Sequence, residues 1–463
     1  MKFLFLAWKH PVEPLGLLYI SAMLKKHNHS TKIAVIDEDN LEEVVKEYKP
    51  DVVAGSVMTG GQTEFLKITN NLKKVHNFLA LMGGSHPTFH PQVLEEEGLD
   101  IIAQGECEEA VAELADALEQ KKDYTKIKNL WIKKDGKIYK NDIRNLNENI
   151  DSLPFPDREV AYEHKLWRDE PIRHFIACRG CAYKCSYCFN SAIDKVYDRS
   201  KGKWVRWRSV DDVIQEIKEV ITKYGGKFVY FQDDIFIMNR PWLKEFSEKY
   251  KKEINLPFHC HVRPNTVDEK TADLLKEAGC YSVHMALEAA DDYIRNIIIK
   301  REMDKETVYK ACRLLNERDI KIMLQNILGL PESSLETDLE TLKMNIKCKP
   351  LYAWCSIFQP YPKLPLTEYA ISHGLLEGDY NDIGAKFFET TIVKLDNKKQ
   401  VEHLQKLFAI TVSHPILYYS GLLKILINMP NINIIKNFYK KVYTKFRNYK
   451  DNQLYGIRLS SAS

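Results

Sequence analysis

Three cysteines, Cys181, Cys185 and Cys188, stand at Cys-x3-Cys-x2-Cys in the run ACRGCAYKCSYC that ends at Cys188. Thiolates this close in sequence can wrap one face of a cube of iron and sulfide and leave a fourth iron without a protein ligand. An open iron can chelate a small molecule and pass it an electron, so the spacing implies chemistry as well as structure. Structural zinc is the competing reading. It normally takes four ligands from two paired knuckles, whereas three thiolates in a Gly- and aromatic-flanked loop favour iron and sulfide.

The loop needs a scaffold, and the surrounding sequence supplies one. From 170 to about 365 the chain repeats strand then helix: HFIACRG, FVYFQDD, PFHCHVRP, SVHMALEA, KIMLQNILGLP and AWCSIFQPYP are β-rich. Stretches such as VDDVIQEIKEVITKY and EKTADLLKEAG between them carry apolar residues at helical spacing. Six such units predict a partial (β/α)6 TIM-type barrel over 170–370, with chemistry at the C-terminal ends of its strands. Polar residues gather at those ends: Gln232, Asp233 and Asp234; His259, His261 and Arg263; Glu288; and Gln325 with Asn326. His259-x-His261 has the look of a metal pair. With no third ligand nearby, His261 and Arg263 are expected to contact cofactor or substrate, or to fill a satisfied interior. Asp233 reads either as a ligand contact or as a helix N-cap.

Residues 1–121 alternate in the same way. KFLFLAW, KIAVID, DVVAGSV, FLALMGG and LDIIAQG are strand candidates separated by helical stretches, which predicts an α/β, Rossmann-like doubly wound sheet. Ligands bind such sheets beyond the carboxyl ends of the strands. There lie Leu15 and Gly16, Ser56 and Thr59, Gly83, Gly84, His86 and Thr88, and Gly105 with Glu106. Paired glycines let a backbone approach a bulky ligand closely. Residues 122–169 hold a hairpin turning at Asp135-Gly136 and the Pro-bearing linker DSLPFPDRE.

The cysteine motif, with Tyr187 between its last two cysteines and Phe189 after them, resembles that of the radical S-adenosylmethionine (SAM) enzymes. The resemblance implies a [4Fe–4S] cluster on Cys181, Cys185 and Cys188, with Cys178 left out as a strand-end residue. It implies SAM bound at the open iron and cleaved by one electron to methionine and a 5′-deoxyadenosyl radical. SAM contacts then fall to Tyr187, Phe189, Gln232, Asp233, Arg263, Glu288 and Gln325. Asp233 stands where many members place a carboxylate for the SAM amino group, and Glu288 where one meets the ribose. PLGL after the first strand, GGSHPT after the fourth and GE after the fifth look like the cobalamin-binding domain that precedes the barrel in one large subgroup. Leu15, Gly16, Ser56, Thr59, Gly83, Gly84, His86, Thr88, Gly105 and Glu106 are its implied contacts. The Asp-x-His-x-x-G motif that gives cobalt a histidine in many cobalamin proteins is absent; His10 lacks its partners, and His86 reads as a loop-shaping residue. Methylthiotransferases of the superfamily carry three further N-terminal cysteines, whereas only Cys107 precedes residue 178 here.

The chain has 463 residues, 44% hydrophobic and 28% charged, and a formal charge of +3. That is an ordinary globular composition, too near neutral to suggest nucleic acid. The apolar run of MKFLFLAWKHP is too short for a signal peptide and reads as a buried strand. Ten cysteines without such a signal are expected in a reducing cytoplasm. Residues 371–463 predict a helical cap, in which NIIKNFYKKVYTKFRNYK carries no acid. It reads as a solvated face or as peripheral membrane contact through basic helices; residues 451–463 are expected to be disordered. Trp204, Arg206, Trp207 and Arg208 are expected to close the barrel mouth. Trp354, Phe358 and Tyr361 are expected to line a chamber for an apolar guest.

The resemblance implies a cobalamin-dependent radical SAM enzyme, class B methyltransferase-like, that methylates an unactivated carbon of a small-molecule or lipid-like substrate. An electron donor such as flavodoxin or ferredoxin would serve it. The subgroup also contains non-methylating cyclases, ring-rearranging and carbon-linking enzymes. A non-catalytic cobalamin or cluster sensor is the reading from another class.

Overall fold

Near-continuous apolar strands, each followed by an amphipathic helix, build two parallel sheets in this chain. The computed structural model describes residues 1–384 and 389–457. In the first sheet β1 (Lys2–Ala7), β2 (Ser30–Val35), β3 (Val52–Ser56), β4 (Leu79–Gly83) and β5 (Ile101–Ala103) run parallel in the order β2-β1-β3-β4-β5. Phe3 and Phe5 of β1 pack one way against helices Leu15–Lys26 and Glu108–Glu119. Leu4 and Leu6 pack the other way with Val45, Phe65 and Leu72 from helices Leu41–Tyr48 and Gln62–Lys73. Strands covered on both faces are apolar throughout, which is why KFLFLA shows no polar alternation.

The hairpin β6 (Leu130–Lys134) and β7 (Lys137–Lys140) is not a separate connector. β6 pairs antiparallel with β5, so the hairpin completes a seven-stranded sheet. The stretch after it is anchored as well: Val160, Ala161, Tyr162 and Trp167 are buried in the core of the first sheet.

The second sheet is a six-stranded parallel one with neighbours in sequence order: β8 (Ile172–Phe175), β11 (Phe228–Phe231), β12 (Phe258–Val262), β13 (Cys280–Glu288), β14 (Lys321–Leu328) and β15 (Tyr352–Ile357). The six strands coincide with the six β-rich stretches of the sequence. Between β8 and β11, two short strands, β9 (Cys178–Arg179) and β10 (Arg206–Trp207), pair antiparallel and hold the two ends of the cysteine loop together.

Beyond β15, helix Lys398–Ser413 packs Val401, Leu404 and Phe408 on Ala353, Cys355 and Ile357. The stretch ILYYSGLLKILI is two short helices, Ile416–Tyr419 and Leu422–Ile427, broken where Gly421 turns at φ +78°. Helix Asn433–Tyr455 follows, which corrects the expectation of disorder from 451: Leu454 is fully buried and Tyr455 packs on Phe228 and Tyr230. Residues 458–463 of that expectation lie outside the described residues. No described helix is long and apolar enough to cross a membrane.

Candidate active site between the two sheets

The two sheets face each other across a cavity of about 470 Å³. One wall is the carboxyl end of the first sheet: Gly16 and Leu17 after β1, Ser56 of β3, Gly83 and Gly84 at β4, and Gly105 and Glu106 after β5. These loops flank the point where strand order reverses, the usual ligand position in such sheets. The other wall is Cys178–Gly180, Phe189, Asn190, Trp204, Gln232 and Asp234.

Two of these glycines are sterically required. Gly84 sits at φ +98°, and a Cβ there would lie 2.7 Å from both the amide nitrogen and the carbonyl oxygen of Val57. At Gly105, φ +68°, the Tyr197 hydroxyl already occupies the Cβ position and accepts the Glu106 N–H at 2.6 Å. Glu106 is tied to Arg179 at 3.0 Å and to Arg206 of β10. Burial would raise its carboxyl, but the two guanidiniums outweigh that and hold it below the usual range.

Six of the ten residues expected at cobalamin therefore line the cavity: Gly16, Ser56, Gly83, Gly84, Gly105 and Glu106. The other four stand behind it. Leu15 is packed in the core. The Thr88 hydroxyl donates to the Gly84 carbonyl at 2.7 Å and accepts the Gly105 N–H at 3.0 Å, joining the two glycine turns. Thr59 bonds His86 Nδ1 at 2.9 Å. Burial, then the neighbouring His90, pushes the His86 ring down to about 4, so it is a neutral loop-shaping residue.

On the barrel side, Cys181 and Cys185 are buried and Cys188 is half-buried; burial raises the Cys181 thiol and pushes Cys188 up to about 12. Cys178 and Cys181 form a second Cys-x2-Cys pair with Cys185 and Cys188, so zinc on four cysteines has to be weighed. The geometry opposes it. Cys178 lies in β9 with Sγ turned to the Arg179 and Gly180 carbonyls, 3.7 and 3.8 Å away. Among the described residues, the group of three His, Cys, Asp or Glu ligand atoms within 4.8 Å of one another is a histidine trio, not these cysteines. Zinc–sulfur bonds of about 2.3 Å would bring sulfurs to within roughly 4 Å. Arg263 and Arg301 each place Nη1 3.7 Å from Cys185 Sγ, which fits an anionic cluster.

Two residues that sequence reasoning missed organise the loop. Asn190 accepts the Cys181 N–H at 3.2 Å and the Trp204 indole N–H at 2.8 Å; its amide donates to Cys188 Sγ at 3.6 Å and to Asp234 at 3.1 Å. Its place two residues past the last cysteine was the available signal. Arg301 donates to the Tyr187 hydroxyl at 3.0 Å and to the Ala286 carbonyl; nothing in its local sequence marks it.

The residues expected at SAM divide. Phe189 lines the cavity and stacks on Phe89 at 4.7 Å between ring centres. Gln232 lines it too, and its side-chain nitrogen is buried without a partner. Asp233 does not face the cavity: both its oxygens lie at hydrogen-bond distance from the Ala177 N–H, 3.1 and 3.2 Å. Burial raises it to about 7 despite that N–H and the Cys178 N–H. Nor is it a helix cap, since Asn239 caps the next helix. Asp234 is the carboxylate on the barrel wall of the cavity. Glu288, at φ +68°, accepts the Tyr187 hydroxyl at 2.7 Å, and burial outweighs Arg301 in raising its carboxyl. Arg263 lies 3.6 Å over the Tyr183 ring, and Gln325 stands in β14 opposite Ala286. Phe358 is core, packed with Leu330 and Leu366, while Tyr361 stacks against Phe189 at 5.7 Å. Arg206 is buried and paired with Glu106, which binds the barrel to the first sheet, and Arg208 is buried and paired with Glu216 of helix Val210–Tyr224, so neither presents a basic patch.

The B12 binding domain model matches residues 1–115 and the Radical SAM superfamily model residues 175–344. The chain thus carries a B12 binding domain followed by a radical SAM domain. An uncharacterized methyltransferase of Pyrococcus horikoshii is 29% identical over 372 residues, 78% of this chain and 79% of the relative. An anaerobic magnesium-protoporphyrin IX monomethyl ester cyclase of Cereibacter sphaeroides is 26% identical over 76% of this chain and 59% of its own. Among solved structures, the radical SAM methyltransferase TsrM of Kitasatospora setae, with cobalamin and a [4Fe–4S] cluster bound, superposes with TM-score 0.65 at 18% identity, covering 81% of this chain and 79% of that one. The cobalamin-dependent radical enzyme OxsB gives 0.68 at 15%, covering 97% and 71%.

The cofactors are a [4Fe–4S] cluster, SAM and cobalamin, and the site fits them. Gly16 leaves open backbone on the cavity wall, room that a broad planar ring would need, with nothing standing within 4 Å of a Cβ built there. The unpartnered Gln232 amide and Asp234 offer a donor and an acceptor on the opposite wall.

Proposed function

We propose that this protein methylates an unactivated carbon of a small-molecule or lipid-like substrate. When bound, the cluster and SAM supply a 5′-deoxyadenosyl radical and cobalamin a transferable methyl group. The carrying observation is the single cavity, walled by the glycine turns of the first sheet on one side and by the residues flanking the cysteines on the other.

The chain's own part is positioning and exclusion of water. Cys181, Cys185 and Cys188 hold the cluster, and Arg263 and Arg301 balance its charge. Asn190 fixes the loop to Asp234, which faces the cavity and can accept the SAM ammonium in place of Asp233. Gly16, Gly83, Gly84 and Gly105, which line the cavity, would admit the corrin. His86 bonds Thr59 through Nδ1 and is not among the residues lining the cavity. Stacked Phe89, Phe189 and Tyr361 suit an apolar or aromatic guest.

Relatives named as methyltransferases support methyl transfer. The cyclase relatives support the second reading, a radical reaction without methyl transfer. Product mass separates them: methylation adds one methylene to the substrate, and cyclisation adds no carbon. A small reductant protein such as flavodoxin or ferredoxin would deliver the electron. Ten free cysteines support a reducing compartment.

The helical cap favours contact with an anionic lipid surface. Ile416, Tyr419, Ile425, Ile434 and Phe438 are 60–77% exposed, on a stretch from 414 to 450 that contains no Asp or Glu. Exposed Lys424, Lys436, Lys441 and Lys445 flank them. Apolar side chains ringed by lysine match an acyl layer under anionic headgroups.

A further inference from the structure

The sequence offers His259-x-His261 no third ligand, but the fold does. His284 of β13 pairs in register with His261 of β12. One ring nitrogen from each of His259, His261 and His284 falls within 4.8 Å of the others. We propose that these three imidazoles, with the Tyr230 hydroxyl, form a binding site for one divalent cation of the zinc class, separate from the cysteine loop and the cavity.

Spacing is the first argument. His261 Nε2 and His284 Nδ1 are 3.1 Å apart, and Tyr230 Oη lies 2.9 Å from the first and 3.2 Å from the second. Ligands about 2.0–2.1 Å from a tetrahedral zinc stand roughly 3.3 Å from each other. The three atoms thus outline one face of such a tetrahedron.

Free lone pairs are the second. The His259 Nδ1 is engaged by Ser282 Oγ at 2.7 Å, and its Nε2 is buried without any partner. Ser282 thus fixes the His259 ring from its far side, the kind of orienting contact that metal-bound histidines usually have. A buried nitrogen left unpaired is destabilising; a cation removes that cost at His259.

The surroundings close the site. Tyr455, on the last turn of helix Asn433–Tyr455, packs its ring 5.4 Å from His259 and 6.0 Å from Tyr230. Three imidazoles and one oxygen leave no open position, so the ion is structural, pinning β11, β12 and β13 beneath the C-terminal helix.

The test is metal analysis of the full-length protein after cluster and cobalamin reconstitution, incubation with equimolar zinc, and gel filtration. The proposal expects one zinc per chain beyond the cluster iron, with an X-ray absorption first shell of nitrogen and oxygen at about 2.0–2.1 Å and no sulfur. His284→Gln and His259→Ala should each lower zinc at least tenfold while iron stays unchanged. If both variants fail to fold, the zinc count and absorption shell of the unmutated protein still decide. Absence of zinc, a sulfur-containing shell, or zinc retained in folded variants would overturn it.

Discussion

Glu13 links the two sheets, and its removal has a calculable cost. It lies just ahead of the loop that lines the cavity at Gly16 and is 2% exposed. Its carboxylate accepts from Arg158, from the Tyr162 hydroxyl, and from the His174 N–H of β8 at 3.0 Å. Arg158 also donates to the His174 carbonyl at 2.7 Å and to Glu216 of helix Val210–Tyr224 at 2.8 Å, and Glu216 pairs with Arg208. Two carboxylates and two guanidiniums thus balance in a buried seam between B12 domain and barrel. Burial alone would raise Glu13, but Arg158, His174 and Tyr162 outweigh it and hold the carboxyl at about 2, against an ordinary 4.5. That depression corresponds to about 3 kcal/mol of stability, at ~1.4 kcal/mol per pK unit. Because the folded value is the lower one, the contribution is complete above pH ~4.5 and is lost as pH falls toward 2. Glu13→Gln at pH 7 removes it and strands one positive charge. Anaerobic differential scanning fluorimetry should show a melting point lower by roughly 6–12 °C, from ~2–4 °C per kcal/mol for domains of this size. Arg158→Met in the same chain restores the charge balance and should recover most of the loss, since removing both members of a buried pair is often neutral. A shift below about 2 °C for Glu13→Gln, or a double variant worse than the single, would refute the reasoning.

Gly84→Ala places a methyl group 2.7 Å from the Val57 backbone at φ +98°; cobalamin bound per chain should fall at least tenfold, read from absorbance after gel filtration. Asn190→Ala removes four hydrogen bonds around the cysteines, each worth about 1 kcal/mol; reconstituted iron should drop below half, whereas Asn190→Asp, which keeps the two accepted bonds, should retain more. Lys436→Glu with Lys441→Glu and Lys445→Glu should abolish co-sedimentation with phosphatidylserine vesicles, at ~1 kcal/mol per lysine; failure of the unmutated protein to sediment would dismiss the lipid surface.

Legibility in the sequence followed locality. Cysteine spacing, six strand-then-helix units and glycine turns at strand ends are properties of short segments, and each appears where it was read. Residues whose role depends on distant partners were hidden. Arg301 meets Tyr187 and Cys185 across more than 100 residues, and Glu13 meets Arg158 across 145. Asp233 and Asp234 are neighbours of one type, and only the fold turns one to the backbone and the other to the cavity. His284 became a partner of His261 through strand register alone. The end of helix Asn433–Tyr455 looked unstructured because its burial comes from the barrel, not from its own polar sequence.

The central claim, one cavity serving both a cluster with SAM and cobalamin, is tested most directly by anaerobic reconstitution with iron, sulfide and hydroxocobalamin, followed by metal counts and a SAM cleavage assay. The account predicts about four cluster irons and one cobalt per chain, with 5′-deoxyadenosine and S-adenosylhomocysteine both formed and both lost in Cys181→Ala. Iron bound with no cobalt, or both metals bound with no SAM cleaved under strong reduction, would contradict it.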